Sequence, residues 1–173
     1  MERTYCYICR SKLDKKADRM WHCEHCDQTF YENPRPCADL AIFNNKGEVL
    51  LSKRAFEPSK GKYDMPGGFI EYDETAEEAA LREAEEELSI KRESLSTPKY
   101  VLSYNAEYPW GKETYKLLVL LLVAKVKGSE LKIIPQDDVS ATEWVKPDDI
   151  DVSKLGNPHL IEYIRKAHEA LSE

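Results

Sequence analysis

The sequence predicts an α/β fold in which a mixed sheet is covered by helices on both faces and is preceded by a small cysteine-rich module. Two Cys-x2-Cys pairs near the start of the chain indicate the module. Several strand-like segments and two amphipathic helical segments follow it and indicate the larger domain. With 173 residues, 42% of them hydrophobic, the chain is long enough for one ordinary domain and a small one.

The cysteine-rich module spans residues 1–32 and has the spacing of a four-thiolate zinc site. Its pairs are Cys6-x2-Cys9 and Cys23-x2-Cys26, with thirteen residues between them. So short a segment cannot bury enough apolar surface to fold alone, and bound Zn²⁺ would supply the missing stability. Disulfides or a redox Cys-x-x-Cys are the alternatives, and neither explains both pairs in a reducing compartment.

Residues 33–36 form a proline-stiffened connector, and the larger domain spans residues 37–173. Within the larger domain the strand-like segments are residues 37–43, 48–54, 99–105, 114–126 and 142–146. Asn157 and Pro158 are the predicted N-cap and first residue of a closing helix, which buries one apolar face. Cys37, the fifth cysteine, lies in a predicted strand and is interpreted as a small buried hydrophobe.

The other helix is the most informative segment. Thr75 and Glu78 form a capping box, and good helix formers continue to Leu88. At about 100° per residue, Glu83, Glu86 and Glu87 share one arc of the helix, whereas Glu85 points away. An acidic, solvated helix is the simplest explanation of such a pattern. Carboxylates grouped in this way can also hold a divalent cation, which suggests phosphate chemistry.

The residues around these glutamates favour a site over a solvated surface. Arg82 lies one turn before Glu86 and can hold its carboxylate, and Glu74 lies where it can orient Arg82. Gly67 and Gly68 precede the helix, where a backbone without Cβ atoms can approach a ligand closely.

These residues match the Nudix box, and the chain resembles the Nudix hydrolases. The box has the form Gly-x5-Glu-x7-Arg-Glu-U-x-Glu-Glu-x-Gly-U, where U is aliphatic. Its positions are filled by Gly68, Glu74, Arg82, Glu83, Ala84, Glu86, Glu87 and Ile90. Ser89 departs from the pattern, which has glycine at this turn. The resemblance extends over most of residues 37–150 and implies a Nudix α/β/α sandwich.

The resemblance implies catalytic Mg²⁺ or Mn²⁺ held by Glu83, Glu86 and Glu87, with the carbonyl of Gly67 as a further ligand. It also implies that Arg82 and Glu74 orient a glutamate. The general base stays open, because Nudix enzymes place it either in the box or in a later loop. The candidates are Glu83 and Glu143, followed by Glu107, Glu113, Asp137 and Asp138. Surface solvation is the favoured interpretation of Glu113, Asp137 and Asp138.

Five residues are candidates for substrate binding. Arg54 ends a strand and can contact a phosphate, although it can equally be a solvated charge. Gly68 allows close approach of the backbone. Tyr104, Tyr108 and Trp110, in a strand and its following loop, can stack on a base, and core packing explains them equally well.

A zinc ribbon ahead of a Nudix box resembles the Nudix pyrophosphatases that act on FAD, ADP-ribose or NADH. The implied reaction is hydrolysis of the phosphoanhydride in a nucleoside diphosphate linked to another group, with release of a mononucleotide. The downstream segment Ser103–Trp110 differs from the NADH type. Two alternatives remain, a nucleoside-triphosphate sanitising enzyme and a non-catalytic nucleotide-sensing protein.

Charge and hydropathy set the expected partners. The net charge is −7. Residues 1–36 have a net charge of about +1, so the larger domain is strongly acidic. An acidic surface argues against general binding to nucleic acids or anionic membranes. No apolar run is of signal-peptide or membrane-spanning type, so we expect a cytoplasmic protein with a small-molecule nucleotide substrate. The resemblance also allows a homodimer.

Overall fold

A computed structural model describes residues 4–129 and 131–171; the predicted domain limits at residues 1 and 173 lie outside them. The cysteine-rich module is a three-stranded antiparallel sheet. Its strands are β1 (Asp14–Ala17), β2 (Met20–Cys23) and β3 (Gln28–Tyr31). Trp21, Leu13 and Phe30 are buried beside the cysteines, which gives the module a small core of its own.

The larger sheet is mixed, as predicted. Its main path runs β10-β5-β4-β9-β8, with β4 and β9 parallel and β8 and β9 antiparallel. The strands are β4 (Arg35–Phe43), β5 (Val49–Arg54), β6 (Tyr63–Asp64), β7 (Gly67–Phe69), β8 (Lys99–Trp110), β9 (Glu113–Lys125) and β10 (Val139–Val145). β4 begins at Arg35, inside the segment predicted as the connector.

Two helices cover the two faces of this sheet. Helix α1 (Ala76–Leu88) packs its apolar stripe on Leu40 and Leu122, and helix α2 (Leu160–Ala170) packs on Phe43 and Leu121. The two cores contain different residues of the same strands, because successive side chains of a strand point to opposite faces. The predicted α/β/α sandwich is therefore confirmed.

Further boundaries differ from the prediction. The β8–β9 hairpin is longer than expected, so Tyr108 and Trp110 lie in β8 and not in a following loop. Helix α2 begins two residues later than predicted, with His159 at the N-cap. Asn157 instead makes a turn before the helix, since its side chain accepts from the His159 N–H and its carbonyl accepts from the Leu160 N–H.

The sheet opens between its central strands, and this opening positions the candidate site. β4 and β5 are paired only at Phe43 and Val49 and then diverge. The segment 63–69 fills the gap, with β6 paired to β5 and β7 paired to β4. The two glycines of β7 therefore lie at the middle of the opening, directly beneath helix α1.

Candidate active site

Arg82 gathers three acids of the box into one cluster. Its Nε and Nη2 donate to the two oxygens of Glu74 at 3.1 and 2.8 Å. Its Nη1 donates to Glu83 at 2.9 Å and to Glu86 at 2.8 Å. Its Nη2 also donates to the carbonyl of Phe69 at 2.9 Å, which ties helix α1 to β7. The arrangement brings together the arginine and three of the acids that the sequence predicted as a site.

The capping box places these acids at a fixed height on the helix. Thr75 accepts from the Glu78 N–H at 3.2 Å, and Glu78 accepts from the Thr75 N–H at 2.9 Å. At the other end Ser89 adopts the left-handed conformation, with φ of 55°, which is the conformation that a glycine favours. Ser89 therefore keeps the turn that the glycine of the Nudix box makes.

Glu87 is the buried acid of the helix. Only 7% of its surface is exposed, and its Oε2 has no hydrogen-bond partner among the described residues. Burial raises the pKa of Glu87 to about 9, with further increases from Asp138 and Glu83, whereas the N–H of Gly67 lowers it. A buried acceptor without a donor is costly unless a proton or a cation satisfies it.

Glu83 is partly buried and also contacts Arg82. Burial raises its pKa, and the hydrogen bond and positive charge of Arg82 lower it in part. A Cβ atom at Gly68 would lie 2.2 Å from Glu83 Oε1, and a Cβ atom at Gly67 would lie 2.4 Å from the carbonyl oxygen of Ala38. Both glycines are therefore needed for the close approach of β7 to the helix and to β4.

Three aspartates lie beside these glutamates, and the sequence had indicated only one of them, Asp138, as a candidate base. Burial raises the pKa of Asp39 to about 7 and that of Asp64 to about 6, and the two carboxylates repel each other. Asp138 raises the pKa of Glu83, Glu87 and Asp64 by its negative charge. Asp138, for which surface solvation was the favoured interpretation, is only partly exposed and lies 3.6 Å from Arg54, because its loop folds back toward helix α1. Asp39 had one signal, a carboxylate inside an otherwise apolar strand.

The residues fit a divalent cation in their donor chemistry. Carboxylate oxygens are the ligands that Mg²⁺ and Mn²⁺ prefer, and Glu87 Oε2 is a buried acceptor without a donor in residues 4–129 and 131–171. In the described structure, however, Arg82 draws Glu83 and Glu86 to itself. The three glutamates accordingly do not form a group whose ligand atoms all lie within 4.8 Å, a condition that the described residues meet only at the four cysteines.

Arg54, one of the residues predicted to bind substrate, already has partners in the protein. Its Nε donates to the Pro58 carbonyl at 2.7 Å, and its Nη2 lies 3.5 Å from the Tyr108 hydroxyl and 3.6 Å from Asp138. It therefore lies at the edge of the acidic cluster, where its charge lowers the pKa of Asp64.

The three predicted aromatic residues have different surroundings. Tyr104 donates to Asp39 and stacks on Tyr163 of helix α2, with ring centroids 4.1 Å apart. Tyr104 therefore packs between Asp39 and helix α2. Tyr108 and Trp110 lie further along β8, and 58% of the surface of Trp110 is exposed.

Glu143 is not brought to the cluster. It lies on the face of β10 that packs toward helix α2, beside Tyr63, whose pKa is raised by burial and by the neighbouring Glu143 carboxylate. Glu107 pairs with Lys116 on the surface, and Glu113 and Asp137 are exposed. Among the downstream acids proposed as the base, Asp138 is the one that faces the box.

The four N-terminal cysteines form a second site. Their sulfur atoms all lie within 4.8 Å of one another, with pairs at 3.5, 3.6 and 3.7 Å. Sulfurs at the corners of a tetrahedron about 2.3 Å from a zinc ion are about 3.8 Å apart. His22 contacts Thr29 and Asp27 and is not part of the group. The cluster fits Zn²⁺ and confirms the predicted ribbon.

The chain belongs to the Nudix family, since the family model described as "NUDIX domain" matches residues 33–167. The "NAD-capped RNA hydrolase NudC" of Chromobacterium violaceum is 30% identical over 142 residues, which are 81% of this chain and 49% of that protein. The NudC of Photorhabdus laumondii is 29% identical over 148 residues, 84% of this chain and 52% of that protein. The chain thus spans about half the length of these curated relatives.

Solved structures agree with the fold. A NUDIX hydrolase from Nitrosomonas europaea has a TM-score of 0.68 at 22% identity and covers 96% of this chain and 93% of its own. The NUDIX domain of Shewanella oneidensis NrtR, complexed with ADP ribose, has a TM-score of 0.63 at 20% identity. The match covers 82% of this chain and 90% of that domain. No helix in residues 4–129 and 131–171 is long and apolar enough to cross a membrane.

Proposed function

We propose that the protein is a metal-dependent pyrophosphohydrolase that cleaves the phosphoanhydride of a nucleoside diphosphate linked to another group. The observation that carries the proposal is the Arg82 cluster, in which one guanidinium holds Glu74, Glu83 and Glu86 beside the buried, unpartnered oxygen of Glu87. The names of the relatives, which include hydrolases of NAD-capped RNA, favour a dinucleotide-type substrate.

Glu83, Glu86 and Glu87 would hold Mg²⁺ or Mn²⁺, with the Gly67 carbonyl as a further ligand. When bound, the metal neutralises charge on the phosphate oxygens and lowers the pKa of a water molecule. Arg82 keeps the glutamates in fixed rotamers, and Glu74 keeps Arg82 in place. Gly68 leaves the space in which the Glu83 carboxylate lies against β7.

Asp138 is the downstream carboxylate that we propose as the general base, in place of Glu143. It is close enough to Glu83 and Glu87 to change their pKa values, and it lies in the loop before β10. Glu83 is the alternative within the box. A base must reach the attacking water by a hydrogen bond, and a loop carboxylate at the edge of the cleft can adjust to do so.

Two matched substitutions on helix α1 test the metal site. Glu86→Gln removes one proposed ligand, whereas Glu85→Gln removes an exposed acid from the outer face of the same helix. We expect Glu86→Gln to lower Mg²⁺-dependent release of mononucleotide by about 100-fold or more and Glu85→Gln to leave it within about 2-fold. Equal activity of the two variants would contradict the metal assignment.

The substrate is tested with a panel that comprises ADP-ribose, FAD, NADH, dinucleoside polyphosphates, dNTPs and NAD-capped RNA, with products identified by mass. Hydrolysis of the nucleoside diphosphate derivatives, and not of dNTPs, is the expected result. Preference for dNTPs would favour the sanitising enzyme. Binding without turnover would favour the nucleotide sensor, and preference for the capped RNA would show that nucleic acid takes part.

A further inference from the structure

The β8–β9 hairpin projects beyond the sheet that supports it. Pairing of β9 with β4 begins at Leu117, opposite Arg35, so residues 107–116 have no neighbouring strand on the β4 side. Within this projection Tyr108 is paired with Tyr115 and Trp110 with Glu113. Because Tyr108 and Trp110 are two residues apart on one strand, they point to the same face, which is also the face of Tyr115.

These rings form a continuous surface, which we call the aromatic ledge (Phe69, Tyr108, Trp110 and Tyr115). Tyr108 and Trp110 are stacked, with centroids 6.0 Å apart and planes at 26°. Phe69 supports the ledge from β7, with its centroid 6.4 Å from those of Tyr108 and of Tyr115. The guanidinium of Arg35 lies over the ring of Tyr115, 3.4 Å from its centroid.

The ledge has a half-buried base and a more exposed rim. Tyr108 and Tyr115 are partly buried against the cluster of Cys37, Leu117 and Val119, whereas Phe69 and Trp110 are exposed. Trp110 is 58% exposed and Phe69 is 37% exposed. Arg35 is exposed and has no carboxylate within ion-pair distance in the part of the chain that the structure describes. Aromatic rings whose outer members stay exposed, beside an arginine that has no carboxylate partner among the described residues, are typical of a binding site.

The ledge is continuous with the candidate active site. Phe69 directly follows Gly68, and its carbonyl accepts from Arg82. The hydroxyl of Tyr108 lies 3.5 Å from Arg54 at the edge of the acidic cluster. A molecule whose phosphates lie at the glutamates can therefore extend its next planar group over the ledge without leaving the protein surface.

We propose that the aromatic ledge binds the second planar heterocycle of a substrate in which a diphosphate joins two nucleosides. Every heterocyclic base has a π-face that stacks on tyrosine and tryptophan, and the charge of Arg35 complements the phosphates that precede the base. The inference rests on the proposed function, because it takes the scissile diphosphate to lie at the Nudix glutamates. It assigns specificity for two-base substrates to Trp110, Tyr115 and Arg35.

The test compares substrates with one base and with two. Trp110→Ala and Arg35→Gln alter the ledge, and Tyr100→Ala serves as the matched control, because Tyr100 is 57% exposed near the start of the same strand. We expect Trp110→Ala to raise KM for FAD and dinucleoside polyphosphates by about 10-fold and to leave KM for ADP-ribose within about 2-fold. Tyr100→Ala should change neither value.

Equilibrium binding separates this inference from the proposed function. Calorimetric titration of FAD and ADP-ribose with Ca²⁺ in place of Mg²⁺ measures affinity whether or not turnover occurs. If no compound is hydrolysed but Trp110→Ala weakens only the two-base ligand, the ledge is supported and the proposed function is not. Equal losses for both ligands, no loss for either, or no binding of any two-base compound would overturn the inference. NAD-capped RNA is titrated in the same way. If Trp110→Ala weakens the binding of NAD-capped RNA alone, the ledge binds the RNA chain and the inference is overturned.

Discussion

Arg82 is the residue on which the candidate site depends most. An arginine has five N–H groups, and each of those of Arg82 is engaged, with Glu74 twice and with Glu83, Glu86 and Phe69 once each. Arg82 therefore positions other groups and has no donor left for a substrate. A lysine has one charged nitrogen and cannot reproduce the planar fork that grips Glu74 from two sides.

Arg82→Lys should therefore damage catalysis far more than its unchanged charge suggests. We expect kcat to fall by about 100-fold, because Glu83 and Glu86 lose their fixed rotamers. Arg92→Lys, a substitution at an exposed arginine beyond the helix, is the control and should leave kcat unchanged. Steady-state kinetics on both variants measure the difference. Similar kcat values for Arg82→Lys and the wild type would contradict the positioning role of Arg82.

Glu87 predicts how the metal-free protein responds to pH. Its pKa is raised from 4.5 to about 9, so the folded state binds a proton that the unfolded state releases. The stability of the chelator-treated protein should accordingly fall as pH rises from about 4.5 toward 9. Glu87→Gln should raise the Tm of the metal-free protein at pH 8 by a few degrees and should abolish the further rise that Mg²⁺ or Mn²⁺ produces.

Thermal unfolding at several pH values, with Glu85→Gln as the control, measures this effect. The control should behave as the wild type does, because Glu85 is already solvated. A Glu87→Gln variant that is less stable than the wild type at pH 8 without metal would show that Oε2, and not only the oxygen near the Gly67 N–H, has a protein donor.

Helix α1 shows how local signals determine an element. The capping box defines its beginning, and the apolar stripe Ala80, Leu81, Ala84 and Leu88 defines the face that packs on the sheet. The C-terminal turn is less favourable, because Ser89 takes a left-handed conformation that costs a residue with a Cβ atom about 1–2 kcal/mol.

Ser89→Gly should therefore stabilise the protein. Glycine relieves the strain of the left-handed turn, and the added freedom of the unfolded chain offsets part of this gain. We expect a net gain of about 0.5–1 kcal/mol and unchanged catalysis. Ser96→Gly, at a residue without a positive φ, is the control and should not stabilise the protein. Urea unfolding measures the free energy of unfolding of both variants. A Ser89→Gly variant less stable than the wild type would contradict the proposal that Ser89 is strained.

The elements that the sequence predicted less well depend on contacts between distant residues. Helix α1 was predictable because its caps and its 3.6-residue period lie within one segment. The extension of β8 to Trp110 depends on pairing with β9, and the delayed start of α2 depends on a turn that Asn157 forms instead of a cap. Asp39 and Asp138 enter the site only because separate strands and loops meet at the opening of the sheet.

At the scale of the whole molecule, the ribbon and the Nudix domain have separate cores. The aromatic and cysteine residues of the ribbon form one cluster, and the residues on each face of the large sheet form others. Zinc bound by the four thiolates would therefore stabilise mainly the ribbon, whose own apolar core is small.

Metal analysis of the purified protein should accordingly find about one zinc per chain. Cys26→Ser should lower this value toward zero, whereas Cys37→Ala, at a buried cysteine of β4, should retain the zinc. Mass spectrometry under native conditions measures both. Retention of zinc by Cys26→Ser, or its loss from Cys37→Ala, would contradict the assignment of the four ligands.

The complete engagement of Arg82 also bears on the order in which ligands arrive. The guanidinium of Arg82 can neutralise only one of the three carboxylates that contact it, those of Glu74, Glu83 and Glu86. Arg54 is paired with Asp138 and leaves this excess of negative charge unchanged. The opening of the sheet therefore has a negative electrostatic potential before any cation binds, and this potential repels a polyphosphate. We expect kinetics in which the divalent cation binds first, or arrives with the nucleotide, and in which the free nucleotide alone has little affinity.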